Sequence, residues 1–457
     1  MKLKIQAKLD EGFMPMALVC REMRENTVNG EDIVIGVERN KGYTSVYKTR
    51  IFKDNTGHDE ENCRFIDRIA KTLLWVAGGY KIIIAGSPVV GEYIRKTFCH
   101  GGARDFDVRF MERVYERDFE VILTDLQHAP KDISSAAPVG RHLDGCRIGF
   151  DAGGSDRKVS AVINGETVYS EEVVWFPKIN SDPEYHYQGI LDAMKTAASH
   201  MPRVDAIGVS SAGVYIDNKI MVASLFLKVS DEDFERRVKN MYIDVAKEIG
   251  ENIPVEVAND GDVTALAGAM SLNDNGILGI AMGTSEAAGY VDMDGNITGW
   301  LNELAFAPVD LNSESMIDEW SGDYGCGVKY FSQDAVIKLA PAAGIELDES
   351  LSPAEKLKAV QSLMAEGDER ARSIYETIGV YFGYTIAYYC EFYDIRQVLI
   401  MGRVTSGDGG VVLLENAREV LRTEFPELCQ RVTLNIPDEK ARRVGQSVAA
   451  ASLPVIK

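Results

Sequence analysis

Four short segments carry the residue types that phosphoryl transfer needs, and they follow one another along the chain. Asp151-Ala-Gly-Gly-Ser-Asp-Arg-Lys158 joins a carboxylate to a glycine turn. Val257-Ala-Asn-Asp-Gly-Asp262 sets a second carboxylate before a helix-forming stretch. Ile280-Ala-Met-Gly-Thr-Ser285 and Val398-Leu-Ile-Met-Gly402 are apolar runs that end on glycine. The reaction needs nucleotide phosphates and Mg²⁺ to be held and an acceptor hydroxyl to be aimed in line. Backbone amides of glycine turns suit the phosphates, because glycine permits close approach. Gly153 and Gly154 fit that duty, with Ser155 and Lys158 as further phosphate contacts, and Asp151 is the candidate holder of Mg²⁺ through water. Asp260 is the candidate general base, since a carboxylate at a strand-to-helix junction sits on the sheet edge where ligands bind. Gly283, Thr284 and Ser285 mirror the first turn and suit the β- and γ-phosphates; Gly402 lets adenosine lie on the backbone. Each segment also has a plain reading. Gly-Gly pairs are common in turns, strands often exit on glycine, and Asp260 or the better-placed Asp262 can cap the helix Val263–Met270. The order of all four favours the chemical reading.

Such residues need strands to carry them. Cys146–Asp151, Lys158–Ile163 and Thr167–Trp175 read as three strands, with Asn164-Gly165 a strong hairpin signal. A helix near Tyr187–His200 and a buried strand from Val204 follow, which is the opening of an RNase H-like lobe. The theme returns with strands Ile277–Met282 and Ala287–Met293, a helix Glu369–Phe392, a strand Val398–Met401 and a last helix near Ala441–Leu453. The expected fold class is therefore α/β, a two-lobed actin-like (RNase H-like) ATPase core. Lobe I is expected over 146–257 with the helix of 441–457, and lobe II over 258–440. Asp151, Asp260, Gly283 and Gly402 are expected to line one cleft. Residues 1–145 read as an α/β accessory domain. They weakly echo lobe I, through Ile33-Val-Ile-Gly-Val-Glu38 and Lys81-Ile-Ile-Ile-Ala-Gly86.

The charge balance supports a division near residue 145. Residues 1–145 carry 22 basic and 22 acidic side chains, and the rest carries 27 and 48, the whole of the net charge of -21. An acidic surface repels phosphate backbones and anionic lipids, so neither nucleic acid nor membrane is an expected partner. The first residues hold no signal-peptide core, and no run of about 18 apolar residues marks a membrane span. The seven cysteines are scattered and form no C-x-x-C, which speaks for reduced thiols in the cytoplasm and against a structural zinc site.

With these residues in view, the stretch 147–454 resembles the ROK family (repressors, open reading frames and kinases) of the actin-like kinase superfamily. The likeness rests on Asp151-x-Gly-Gly-Ser-x-x-Lys158, Ser211-Ala-Gly-Val214, Asn259-Asp260, Gly283-Thr284, Glu303 and Val398–Gly402. It implies an ATP-dependent sugar kinase with ATP and Mg²⁺ as cofactors and a sugar hydroxyl as acceptor. It also implies Asp260 as base, and Gly213, Asn259 and Glu303 as sugar contacts. The chain departs from the family where the acceptor binds. The usual Gly-Glu-x-Gly-His reads Asn302-Glu-Leu-Ala-Phe306, so the histidine that touches sugar and ligates zinc is Phe306. The cysteine-rich zinc motif is reduced to Tyr324-Gly-Cys-Gly-Val328, a second sugar-binding glutamate is Val328, and an asparagine after the base is Asp262. The glycine-rich turn continues as Glu286-Ala-Ala288.

The expected partner is a small sugar-like substrate, with a homodimer left open. The alternative is a catalytically weak or inactive sugar- or nucleotide-sensing protein on the same fold. A DNA-binding regulator is disfavoured because residues 1–145 offer no basic recognition helix. An acyl-CoA-linked ATPase is disfavoured because no cysteine cluster suits an iron–sulfur centre.

Overall fold

The computed structural model describes residues 2–134, 139–437 and 439–456, with the backbone alone for 439–444. Its contacts divide the chain into two units. One is Met1–Ser135 with Ile280–Ala288 and Gly299–Ile436; the other is Ala136–Gly279 with Gly289–Thr298 and Pro437–Lys457.

The N-terminal residues build a four-stranded sheet in the order β2-β1-β3-β4, from β1 (Glu31–Glu38), β2 (Thr44–Ile51), β3 (Lys81–Ala85) and β4 (Glu120–Thr124). β1 is antiparallel to both neighbours, and only β3 and β4 run parallel. This sheet is no copy of lobe I, where the corresponding first and last strands pair in parallel. Its helices are Asp59–Ala77, Pro88–Thr97 and Asp105–Tyr115.

Residues 1–135 share their unit with the chain beyond Gly299, where the charge shift had pointed to an accessory domain. The reason is packing, which net charge does not report. Helix Glu369–Tyr389 is buried without interruption from Thr377 to Tyr389. A helix that is apolar on every face needs cover on every face. Part of that cover comes from the N-terminal residues. The Phe13 ring meets Tyr381 edge-on at 4.6 Å, the Tyr381 hydroxyl donates to Asp10 at 2.5 Å, and the Thr72 and Tyr388 hydroxyls lie 2.8 Å apart. Helix Asp408–Glu424 covers a further face, close enough that a Cβ on Gly379 would stand 2.4 Å from the Leu413 carbonyl oxygen.

The other unit holds a five-stranded sheet in the order β11-β8-β5-β6-β7, from β5 (Cys146–Ala152), β6 (Asp156–Ile163), β7 (Glu166–Val174), β8 (Ala206–Ser211) and β11 (Val255–Asn259). A small hairpin of β9 (Val214–Ile216) and β10 (Lys219–Val222) lies between β8 and β11 in the chain. Asn164 and Gly165 both have positive φ, 49° and 85°, as the tight β6–β7 turn requires. β5, β8 and β11 are parallel, so their carboxyl ends share one edge. Gly149 on β5 and Gly208 on β8 sit side by side in register. Helix Glu439–Ala451 lies against both: added Cβ atoms would stand 1.9 Å from the Ser447 carbonyl oxygen and 1.6 Å from that of Ala450. Lys457 lies outside the described residues.

A last sheet has the order β13-β12-β14-β15, from β12 (Ile277–Met282), β13 (Glu286–Val291), β14 (Gln397–Met401) and β15 (Thr433–Asn435). The chain passes between the two units within β12 and within β13. Among the described residues, no helix is long and apolar enough to cross a membrane.

Candidate active site

The parallel register of β5, β8 and β11 lines up the expected site residues of one unit. Asp151 pairs with Ser210, and Ser211 with Asn259. The Ser210 hydroxyl donates to Asp151 Oδ1 at 2.8 Å, and the Tyr242 hydroxyl donates to Ser211 Oγ at 2.9 Å. Asp151 is buried, and burial pushes its carboxyl up to about 6; the Ser210 hydrogen bond opposes the rise and the Asp260 charge adds to it. Such a group is ionised at neutral pH. The two carboxylates thus lie near enough to feel each other.

Asp260 opens the helix Asp260–Leu272 at the end of β11. Its Oδ1 accepts from the Gly261 amide at 3.0 Å. Burial raises its pKa, opposed by backbone amides and by the charge of Lys178. The helix cap is neither Asp260 nor Asp262. Asn259 caps it, accepting from the Gly261 amide at 2.7 Å while its Nδ2 donates to the Gly213 carbonyl at 2.8 Å. Asp262 instead accepts from the Tyr290 amide at 3.0 Å. Asparagine competes well for this place because its oxygen reaches the second helical amide. Gly213, at φ 140°, packs so tightly on Val222 that no Cβ fits.

The glycine turn after β5 is clamped by Trp175. Its indole Nε1 donates to the Gly153 carbonyl at 2.7 Å, and its amide donates to the Ser155 carbonyl at 3.1 Å. Lys178 lies over the turn, with Nζ 3.1 Å from where a Cβ on Gly154 would stand. No spacing in the sequence marks Lys178; it reaches the turn because the short helix Pro177–Ile179 follows β7. Lys158 faces Asp156 at 3.4 Å, and Ser155 Oγ lies 3.2 Å from the same carboxylate. A glycine turn with an ammonium over it, beside a carboxylate ionised at neutral pH, fits the phosphates and metal of a nucleotide.

The remaining expected residues belong to the other unit. Gly283, Thr284 and Ser285 form the turn between β12 and β13, closed by a 2.9 Å bond from the Gly283 amide to the Ser285 carbonyl; Thr284 and Ser285 are exposed. Gly402, at φ 102°, has the Met282 carbonyl oxygen 2.3 Å from its Cβ position, so packing on β12 already requires glycine there. Glu303 follows Asn302, whose φ is 52°. Their amides donate to the carbonyls of Trp75 (from Glu303) and Val76 (from Asn302), each at 3.0 Å. The Phe306 ring stands 4.4 Å from Trp75 and 5.3 Å from Phe106.

Glu286 was not singled out as a site residue. It is buried at 3 % exposure, and neither carboxyl oxygen has a hydrogen-bond partner in the protein. Burial pushes its carboxyl up to about 8, and the charge of Glu303 adds to the rise.

The ROK family model matches residues 147–451. The chain belongs to the ROK family. No curated protein matches it. A solved ROK family transcriptional regulator, a homologue of the E. coli MLC protein, is 19% identical, with 68% of this chain and 79% of that one covered and a TM-score of 0.51. The ROK hexokinase of Thermus thermophilus is 18% identical over 66% and 97% of the two chains, with a TM-score of 0.49. The ROK glucokinase of Streptomyces griseus, solved with glucose and AMPPNP, is 19% identical over 66% and 98%, with a TM-score of 0.45. At these identities the likeness is one of fold. This ROK chain is an α/β protein of the actin-like class with an N-terminal region beyond the family match.

The zinc centre implied by the resemblance does not fit the residues present. Phe306 offers no donor atom. Cys326 has the Lys71 ammonium 3.9 Å from its sulfur, and burial pushes its thiol up to about 11, whereas a zinc ligand must be a thiolate. Among the described residues no group of three or more His, Cys, Asp or Glu side chains is placed to hold a metal ion.

Proposed function

We propose that this chain transfers the terminal phosphoryl group of ATP to a hydroxyl of a sugar or sugar-like small molecule. The observation that carries the reading is the placement of Asp151 and Asp260 at one sheet edge, beside a glycine turn overlaid by Lys178. Mg²⁺-ATP, when bound, supplies the phosphoryl group. Asp151 would hold the metal, and the amides of Gly153 to Ser155 with Lys178 would hold phosphate oxygens. Asp260 takes the proton from the acceptor hydroxyl, and its raised pKa brings its basicity closer to the working pH. The Gly261 amide fixes the carboxylate that does so.

Asn259 and Glu303, each within its own unit, are assigned to acceptor hydroxyls, with Gly213 holding Asn259 in place. Phe306 offers an aromatic face in place of a hydrogen-bonding histidine, and it is backed by Trp75 and Phe106. The favoured acceptor therefore carries an apolar or N-acyl group on that side, or is a smaller polyol. The test is ADP release by the purified chain over a panel of hexoses, amino sugars, sugar acids and polyols. Turnover with a member of the panel supports the reading; failure to turn over any member, together with failure to bind Mg²⁺-ATP, overturns it.

A second reading is a sensor that binds a sugar or nucleotide with little or no turnover. The aromatic closure at Phe306 favours it, because the family's histidine contact is lost there. Acceptor binding without ADP release identifies that case.

A further inference from the structure

Asn302 and Glu303 are held by an element that lies outside the family match. Helix Asp59–Ala77 ends in carbonyls that have no partner within the helix, as every helix does. Here the carbonyls of Trp75 and Val76 accept the amides of Glu303 and Asn302. Asn302 stands at φ 52°, in the left-handed region that asparagine enters more readily than most residues and that local hydrogen bonds hold. That support is visible: the Val76 carbonyl takes its amide, and the Tyr393 hydroxyl donates to its Oδ1 at 3.0 Å. The direction in which Glu303 leaves the backbone is set from the N-terminal helix.

The same helix grips a second segment. Asp323 Oδ2 lies 2.7 Å from each of three cations: Arg68 and Lys71 on the helix, and Arg104. Arg104 also pairs with Asp67, and Lys71 stands 3.7 Å from Asp107, which accepts from Trp75 Nε1 at 2.6 Å. All six charged residues are at least nine-tenths buried, three of each sign. The Arg68 guanidinium also stacks on the Tyr324 ring at 3.7 Å. From Asp323 the grip passes along the backbone. The Gly327 amide donates to Ala307 at 2.9 Å and the Val309 amide to Gly325 at 2.8 Å. The segment 307–311 also bonds to residues 14–16, where the Met16 amide donates to Val309 and the Leu311 amide to Met14. Residues 303–306 are thus fixed at both ends by residues 14–104.

We propose that the N-terminal region is a positioning element of the acceptor site. Its helix Asp59–Ala77 sets Glu303 through the Trp75 and Val76 carbonyls. It sets the segment 318–327 through the cation cluster closed on Asp323. The proposal rests on the reading of Glu303 as an acceptor contact only for its kinetic consequence.

The experiment is hydrogen exchange on the full chain, wild type against the double variant Lys71→Met/Asp323→Asn. Asp323→Asn alone strands three buried cations with two anions and is a candidate for failure to fold; the double variant keeps two of each sign. The expected result is exchange about tenfold faster or more in peptides covering 300–306 and 318–328, with helix Asp260–Leu272 unchanged. Where the wild type phosphorylates an acceptor, the variant raises the acceptor KM by about tenfold or more and leaves the KM for ATP unaltered. If wild type transfers no phosphoryl group, the kinase reading fails and the exchange result still decides the clamp. Unchanged exchange at 300–306 overturns the proposal, as does stoichiometric zinc in the untagged chain whose removal loosens 318–328.

Discussion

Glu286→Gln tests the electrostatics of the acceptor unit directly. The native carboxyl holds its proton to about pH 8, against 4.5 for an unburied glutamate. The folded-state pKa is raised, so the group's contribution to stability is fully present below pH 4.5 and is lost as pH rises through 8. A difference of about 3.5 pH units at about 1.36 kcal/mol each comes to about 5 kcal/mol above pH 8. By pH 7 about 3 kcal/mol of that is gone, and at pH 5 less than about 1 kcal/mol. Glutamine keeps the shape of the protonated acid and does not titrate. The variant should match wild type at pH 5, exceed it by about 3 kcal/mol at pH 7 and by about 5 kcal/mol at pH 9. Urea unfolding followed by fluorescence, which Trp75 in the same unit reports, measures this at each pH with the m-value as a control. A stability gap that does not widen with pH, or a glutamine variant less stable at pH 9, refutes the account of Glu286 as a buried, unpartnered acid.

Asp260→Asn should lower kcat by about 10²–10⁴-fold, roughly 3–5 kcal/mol of transition-state stabilisation, with ATP binding nearly unchanged; wild-type turnover removes Asp260 from the base's role. Glucose should be a poor acceptor, because hydroxyls facing Phe306 and Val328 each lose about 1–3 kcal/mol of pairing; a kcat/KM at or above about 10⁴ M⁻¹s⁻¹ contradicts this, and improved glucose turnover in Phe306→His supports it. Gly208→Ala should destabilise the chain by about 3 kcal/mol or more, since its Cβ meets the Ala450 carbonyl oxygen at 1.6 Å; an unchanged melting temperature would mean that helix Glu439–Ala451 does not lie on β8.

Period and turn chemistry made much of the family core legible. The strand Ile277–Met282 has the expected bounds, and the Asn164-Gly165 turn sits where its two positive φ angles are needed. The helix from Glu369 ends at Tyr389 rather than Phe392, because Cys390 and the residues after it turn into the β14 connection. Asp151 and Asp260 were legible because carboxylates at strand ends fall on one edge whenever the strands run parallel. Lys178, Trp175 and Glu286 were not. Lys178 and Trp175 reach the glycine turn from 20 residues or more along the chain, and no periodicity encodes such a contact. Glu286 lies in a stretch that reads as an altered phosphate turn, and only burial shows that its carboxyl points inward. The weak N-terminal echo of lobe I does not extend to strand direction. Ile33–Glu38 and Lys81–Gly86 share composition with lobe I strands, but strand direction depends on the connection, and composition does not carry it.

Two departures from the family pattern, Phe306 and the reduced cysteine motif at Cys326, share one physical cause. Phe306 meets Trp75 and Phe106; Cys326 meets Lys71; Asp323, beside it, takes Arg68, Lys71 and Arg104. Each partner lies in residues 68–106, beyond the family match. A histidine at 306 would bring a polar ring against Trp75, and a zinc ion beside Cys326 would bring two positive charges against three buried cations. Either change leaves charge or polarity without a partner in a dry interior, at several kcal/mol. Once the N-terminal helix is seated, phenylalanine and a lone thiol are the compatible choices, and the cation cluster supplies the rigidity that a metal cross-link otherwise gives. The phosphate-side residues Asp151, Gly153, Gly154 and Asp260 belong to the other unit.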